Sequence, residues 1–95
     1  MSKHLICALV SGAVLTLGLP TAASAASPEF CRDYVRAALN QVRGAVNHRR
    51  CAVQMQGPRW STDFSVHFVW CRGVSRDQAE AERVARERTL EDCAH

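Results

Sequence analysis

The stretch that decides the fold lies near the end of the chain, where residues 75–93 read SRDQAEAERVARERTLEDC and predict a long α-helix over residues 76–93. Ser75 and Gln78 have the spacing of a capping box, in which a hydroxyl and an amide satisfy backbone groups of the first turn. The stretch contains no glycine or proline, the residues that most destabilise a helix. Glu82 and Arg86 form a favourable i,i+4 pair. Because the apolar stripe is thin, we expect a half-exposed helix whose arginine stems cover apolar surface while their charged ends stay in water.

A second helix is predicted over residues 29–47. Pro28 suits a first helical position, and Ser27 before it suits an N-cap. The apolar residues recur at spacings of three and four, which places them on one face of a helix. This stripe consists of Cys31, Val35, Ala38, Leu39, Val42, Ala45 and Val46.

The connector between the two helices is rich in aromatic residues, and its conformation stays open between strand and helix. Residues 56–59 are a turn signal, and the aromatic run over residues 60–71 follows it. One set of apolar positions alternates, as in a strand: Phe64, Val66, Phe68 and Trp70. Another has helical spacing: Trp60, Phe64, His67, Phe68 and Cys71, with Ser61 as a possible N-cap. A helical turn or irregular segment is favoured, since a single strand would lack a partner unless residues 52–56 pair with it.

The start of the chain has the pattern of a secretory signal peptide. A positive start precedes an uncharged apolar run over residues 5–19, and small residues of the Ala-x-Ala type follow. The run is shorter than the roughly 20 residues that span a bilayer. Cleavage can follow Ala25 or Ala26, and the second is favoured. We therefore expect a signal peptide over residues 1–26, one domain over residues 27–95, no membrane span after cleavage, and a periplasmic or secreted location.

Four cysteines remain in the domain after the signal peptide. An even number of cysteines in a small exported domain predicts two disulfides. No close Cys-x-x-Cys pair is present, which argues against zinc. If the two long helices pack antiparallel, the start of the first meets the end of the second, and the expected pairs are Cys31–Cys93 and Cys51–Cys71. The predicted fold class is thus mainly α: a small disulfide-stapled antiparallel helical hairpin with an aromatic-rich connector.

Length and charge exclude several classes of protein. A chain of 95 residues allows one small domain and excludes dinucleotide-binding folds and multidomain assemblies. The formal net charge of +3 is modest, and together with export it argues against nucleic acid as a partner. Arginines are concentrated in the first helix and the connector. They either contact an anionic envelope component or form a solvated face.

The connector also carries the candidate ligand-binding residues, which are Arg59, Trp60, His67 and Trp70. Its aromatic rings could stack on a sugar, with the arginine and the histidine as polar contacts. They could equally fill the core of a domain that has few large aliphatic residues. The expected partner is an unknown protein or an envelope glycan or anionic lipid, and no cofactor or metal is predicted.

Two other functions are weighed against binding. A small hydrolase could use Ser61, Asp63 and His67, which are close in sequence, but nothing marks a strained nucleophile turn or an oxyanion hole. A metal or redox module is the other hypothesis. It is weak because His48 and His67 are far apart in sequence and the cysteines have disulfide roles. The favoured prediction is a non-enzymatic binding or structural module of the cell envelope, with no catalytic residue.

Several short motifs resemble those of a group of small secreted four-cysteine proteins of Gram-negative bacteria that are themselves uncharacterised. The residues that carry the resemblance are Cys31-Arg32-Asp33-Tyr34, Gln41, Cys51, Gly57-Pro58-Arg59-Trp60-Ser61, His67, Trp70-Cys71, Glu82, Arg86, Leu90 and Cys93. They cover nearly the whole domain, and the stretch from Gly57 to Ser61 is the most specific part. The resemblance implies a small periplasmic or secreted domain and brings no activity, ligand or catalytic residue with it.

Overall fold

The structure, a computed structural model, describes residues 24–95, so the apolar run of the predicted signal peptide lies outside the described residues. This part of the chain contains helices and no strand. The elements are α1 (Pro28–Val46), α2 (Arg49–Ala52), a 3-10 turn (Pro58–Trp60), α3 (Phe64–Arg72) and α4 (Arg76–Ala94). Two disulfides join them. The mainly α, disulfide-stapled fold class is therefore confirmed. Within the described residues no helix combines the length and the hydropathy needed to cross a bilayer.

Both long helices begin at the caps that the sequence predicts. The Ser27 hydroxyl accepts a hydrogen bond from the Phe30 N–H at 3.1 Å, directly before Pro28. Ser75 and Gln78 form both halves of the capping box. A cap of this kind satisfies N–H groups that have no partner inside the helix, which fixes where each helix starts.

The connector forms a helix over most of residues 60–71, which settles the choice between strand and helix. Asp63 is the N-cap of α3, because its carboxylate accepts a hydrogen bond from the Ser65 N–H at 2.9 Å. The prediction that Ser61 is the cap is wrong: its hydroxyl instead accepts from the Asp63 N–H at 2.9 Å. His67 and Cys71 face the core. Three members of the alternating set, Phe64, Val66 and Trp70, are exposed on α3, whereas Phe68 is half-buried against the core.

The predicted disulfide pairing is wrong. The bonds are Cys31–Cys71 and Cys51–Cys93, with Cα–Cα distances of 5.7 and 5.1 Å. The reason is that the connector does not stay at one end of the molecule. Helix α3 has nine residues, a length of about 13 Å at 1.5 Å per residue. It returns along α1 and brings Cys71 back to Cys31.

As a consequence α1 and α4 run in the same direction, and the helix that returns along α1 is α3. At one end the Ala26 N–H donates to the Val74 carbonyl at 2.9 Å, so the segments that lead into α1 and α4 lie side by side. Midway, the Gln41 amide donates to the Arg83 carbonyl at 3.0 Å. At the far end Cys93 is bonded to Cys51, just beyond α1. The expected antiparallel packing of the two long helices is thus replaced by parallel packing.

The apolar core has two parts, one at each disulfide. The first surrounds Cys31–Cys71 and includes Tyr34, Val35 and Ala79, and the second surrounds Cys51–Cys93 and includes Ala45. Between them Ala38 and Val42 of α1 are buried, and beside them Gln41 and Arg86 form a polar contact between α1 and α4. The candidate site lies next to this polar contact.

Candidate functional site

A pocket of about 190 Å³ lies where α1, α3, α4 and the 3-10 turn meet. Its mostly apolar walls are Tyr34, Pro58, Val66 and Trp70, and its polar residues are Arg59, His67, Glu82 and Arg86. An apolar cavity of about 150 Å³ holds a benzene molecule. The pocket can therefore take one ring or an aliphatic group of similar size, next to two arginines.

Arg86 is the polar centre of this site, and its guanidinium is buried. The residue is 0% exposed, which contradicts the expectation that the arginines of α4 keep their charged ends in water. Its Nε donates to the Gln41 side-chain oxygen at 2.7 Å, and its Nη1 donates to the Tyr34 hydroxyl at 3.0 Å. Its Nη2 has no hydrogen-bond partner and is the one buried side-chain nitrogen or oxygen of residues 24–95 in that condition. A buried donor without a partner is costly, so it calls for an explanation.

Glu82 is the carboxylate nearest to Arg86, and it is shared with Arg59. It binds Arg59 through both oxygens, with Nε–Oε2 at 2.5 Å and Nη2–Oε1 at 3.0 Å. Its Oε2 also lies 3.6 Å from Nη1 of Arg86. The hydrogen bond to Glu82 raises the pKa of Arg59. Arginine side chains are positively charged in proteins in general. Two positive charges and one negative charge leave this group with a net charge of +1.

Tyr34 joins the apolar wall to the buried arginine. Burial raises the pKa of Tyr34 above its ordinary value, and the hydrogen bond from Arg86 opposes that effect. The phenol therefore stays neutral near pH 7. The Arg86 guanidinium carbon lies 5.1 Å from the centre of the Tyr34 ring, within cation–π range. The Tyr34 and Trp70 rings lie next to each other, with centroids 5.6 Å apart.

His67 is buried in the wall of the pocket and is held by the backbone. Its Nε2 lies 2.8 Å from the Ser61 carbonyl oxygen. Because a carbonyl only accepts, Nε2 carries the hydrogen. The bond ties α3 to the segment before it and fixes the orientation of the ring.

The three residues of the hydrolase hypothesis are close together, but their hydrogen bonds serve the start of α3. The Ser61 hydroxyl accepts from the Asp63 N–H, and Nε2 of His67 donates to a backbone carbonyl. The Asp63 carboxylate accepts from the Ser65 backbone and hydroxyl, which lowers the pKa of Asp63. These bonds are those of a capped helix and not of a serine–histidine–aspartate relay.

The structure brings three of the four predicted ligand-binding residues to the pocket. Arg59, His67 and Trp70 line it, whereas Trp60 is only 8% exposed and belongs to the core. Trp70 is 40% exposed, so one ring rather than a pair of rings is open to a ligand.

Sequence reasoning did not name Tyr34, Glu82 or Arg86 among the candidate ligand-binding residues, although all three are among the residues that carry the resemblance. One signal was present. Arg86 lies on the same stripe of α4 as Ala79 and Cys93, which are both buried. A residue at such a position faces the core, whatever its charge.

The residues of the metal or redox hypothesis are not brought together in the described part of the chain. Among residues 24–95 no three histidine, cysteine or acidic side chains are placed so that they could hold a metal ion. His48 is exposed at the start of α2, while His67 is buried in α3. All four cysteines of this part are in disulfides.

Comparison of the chain with protein-family models, with curated proteins and with solved structures finds no match. The pocket is therefore the main observation that bears on function.

Proposed function

We propose that the chain is an exported, non-enzymatic binding module of the cell envelope, and that its ligand enters the pocket beside Trp70. The observation that carries this proposal is the buried guanidinium of Arg86 with a donor left over, at the side of a ring-sized pocket. Burial of a charge contributes little to stability, and apolar residues of the same volume often stabilise a fold as well or better. A role in binding a ligand explains the presence of a buried arginine, whereas its contribution to stability does not.

Export is supported by two features at different places in the chain. The apolar run over residues 5–19, followed by small residues, has the pattern of a signal peptide. The two disulfides are typical of an oxidising, extracytoplasmic compartment.

The structure favours cleavage after Ala25 over cleavage after Ala26. Ala26 is 1% exposed and packs in the first part of the core. Its N–H donates to the Val74 carbonyl, and its carbonyl accepts from Nη1 of Arg72 at 2.6 Å. A cut after Ala26 would remove these contacts.

We therefore expect the exported protein to begin at Ala26. The measurement is the intact mass of the protein purified from the periplasm and from the medium of the producing cells. A chain that begins at Ser27 would contradict the role given to Ala26, and a chain that keeps residues 1–25 and stays in the cytoplasm would contradict export.

The binding proposal can be tested by photo-cross-linking in intact envelopes. The cross-linking amino acid p-benzoyl-phenylalanine replaces Val66, which lines the pocket, or Val53, which is exposed near the opposite disulfide. We expect an adduct with an envelope component from position 66 and none from position 53. Binding sites are specific to a place on the surface, whereas chance encounters are not.

Two further substitutions, made in the protein that carries the cross-linker at position 66, provide the matched comparison. Trp70 and Phe64 are both on α3 and are 40% and 44% exposed, but only Trp70 lines the pocket. We expect Trp70→Ala to abolish the adduct and Phe64→Ala to leave it. Equal adducts from positions 66 and 53, an adduct that survives Trp70→Ala, or no adduct at either position would each refute the proposal.

A further inference from the structure

We infer that the pocket recognises a carboxylate carried on a ring-sized apolar group, with Arg86 as its anchor. The inference rests on the proposed function and names the class of ligand. It is drawn from the charge of the pocket, from its remaining donors, and from the nature of its walls.

The charge of the pocket suits a monoanion. Arg59, Arg86 and Glu82 sum to +1, and His67 shares its Nε2 hydrogen with a carbonyl. A charge that is kept away from water is stabilised by an opposite charge nearby. One carboxylate neutralises the group, whereas a doubly charged phosphate would leave an excess negative charge among apolar walls.

The donors of the two arginines also favour a planar oxyanion. Nη2 of Arg86 has no partner, and Arg59 uses Nε and Nη2 for Glu82. Among the described residues no hydrogen bond engages Nη1 of Arg59. Guanidinium groups with free N–H donors match the two acceptor oxygens of a carboxylate in geometry and in charge.

The pair Arg59–Glu82 lines the pocket beside Arg86. Nη2 of Arg86 is not in contact with solvent, so a ligand reaches it only when neighbouring side chains move. Arg59 is half-exposed, and ion pairs that water reaches are weak. A shift of the Arg59 side chain admits the incoming carboxylate, which joins Glu82 as a second acceptor for the two arginines and makes the group neutral.

The walls of the pocket determine which part of a ligand can be attached to the carboxylate. Tyr34, Pro58, Val66 and Trp70 are apolar over most of the surface that they present, and the pocket has room for about one ring. A strongly hydrated sugar would leave its hydroxyls without partners against such walls. An aromatic or branched aliphatic acid fits both the walls and the charge.

Benzoate and benzamide provide the direct test, because they share a ring and a planar head group and differ in charge. The oxidised exported protein is titrated with each, and binding is followed by the NMR shifts of the Trp70 indole and the arginine Nε–H groups. We expect benzoate to bind at least about tenfold more tightly than benzamide, as a charge-assisted hydrogen bond allows. We expect Arg59→Gln to weaken benzoate binding more than benzamide binding, because only benzoate carries the charge that the guanidinium pairs with.

The same titration distinguishes the sources of the carboxylate. Acetyl-phenylalanine and its amide represent a peptide C-terminus, and benzoate represents a free small acid. Tighter binding of acetyl-phenylalanine than of its amide, or of benzoate than of benzamide, supports the inference, and the better of the two acids identifies the source.

Two results would overturn the inference. Equal binding of acid and amide, lost in both cases with Trp70→Ala, would show that the pocket binds ligands without recognising their charge, and the proposed function would stand. No binding of any of the four compounds would also overturn it, and the cross-linking experiment would then decide the proposed function separately.

Discussion

Replacing Cys31 and Cys71 together by alanine is expected to lower the free energy of unfolding by about 4 kcal/mol. The bond joins residues 40 positions apart, and the main effect of such a link is to restrict the unfolded chain. The pair Cys51–Cys93, 42 positions apart, has an expected contribution of the same size. A domain of this length has a total stability of roughly 5–10 kcal/mol. Loss of one bond therefore removes much of the stability, and loss of both should leave the chain unfolded.

The two disulfides differ in what they do for the pocket, which gives the prediction a second readout. Cys31–Cys71 holds the end of α3 against α1, one residue from Trp70. Cys51–Cys93 lies at the opposite end of the fold. Urea unfolding, followed by circular dichroism, measures the stability of each double variant. Tryptophan fluorescence without urea should change in the Cys31/Cys71 variant and stay close to the parent in the other. A loss below about 1 kcal/mol in either variant would contradict the roles assigned to the disulfides.

Arg86→Ala is the other substitution with a large expected effect, a loss of about 3–4 kcal/mol in the free energy of unfolding. The change leaves a cavity where a fully buried side chain lay. It also removes the hydrogen bonds that Arg86 donates to the Gln41 side-chain oxygen and to the Tyr34 hydroxyl. Arg88→Ala is the control, because Arg88 is an exposed arginine of the same helix. Its expected change is within about 0.5 kcal/mol.

Arg86→Met separates the volume of the side chain from its charge. Methionine refills most of the space and has no charge to bury, so the loss should be clearly smaller than with alanine. Equilibrium urea unfolding of the three variants and the parent provides the comparison. An Arg86→Ala variant as stable as the parent would show that the guanidinium is not buried as described. A methionine variant no more stable than the alanine variant would show that the charge, not the volume, holds the fold.

The ends of the long helices could be predicted because they depend on neighbouring residues. The Ser27 cap and the Ser75–Gln78 capping box place the starts of α1 and α4 within a residue of the expected positions. Capping acts over three or four residues, and its signature is therefore visible in a short piece of sequence.

The direction of α3 could not be predicted in the same way. Residues 60–71 fit strand and helix periodicities equally well, and the cap that decides the matter is Asp63 rather than Ser61. The four cysteines are spaced almost evenly, so more than one pairing is compatible with helices of equal length. Only the return of α3 along α1 selects Cys31–Cys71, and that return depends on tertiary packing.

The candidate site was predictable where it lies in the connector and not where the long helices contribute to it. Arg59, His67 and Trp70 lie within one short aromatic-rich segment, where side chains of these types indicate a possible binding surface. Arg86 is one of several arginines in a charged helix, and arginines usually keep their guanidinium in water. Its burial depends on partners more than 40 positions away, which are Tyr34 and Gln41.

The return of α3 to the start of α1 builds the pocket, and mapping the disulfides of a protein sample that begins at Ala26 tests it most directly. Trypsin cuts after arginine and leaves each cysteine in its own peptide, over residues 26–32, 51–59, 60–72 and 89–95. Mass spectrometry under non-reducing conditions should find 26–32 joined to 60–72, and 51–59 joined to 89–95. Joining of 26–32 to 89–95 and of 51–59 to 60–72 would contradict this fold, and with it the pocket that Arg86 and Trp70 form.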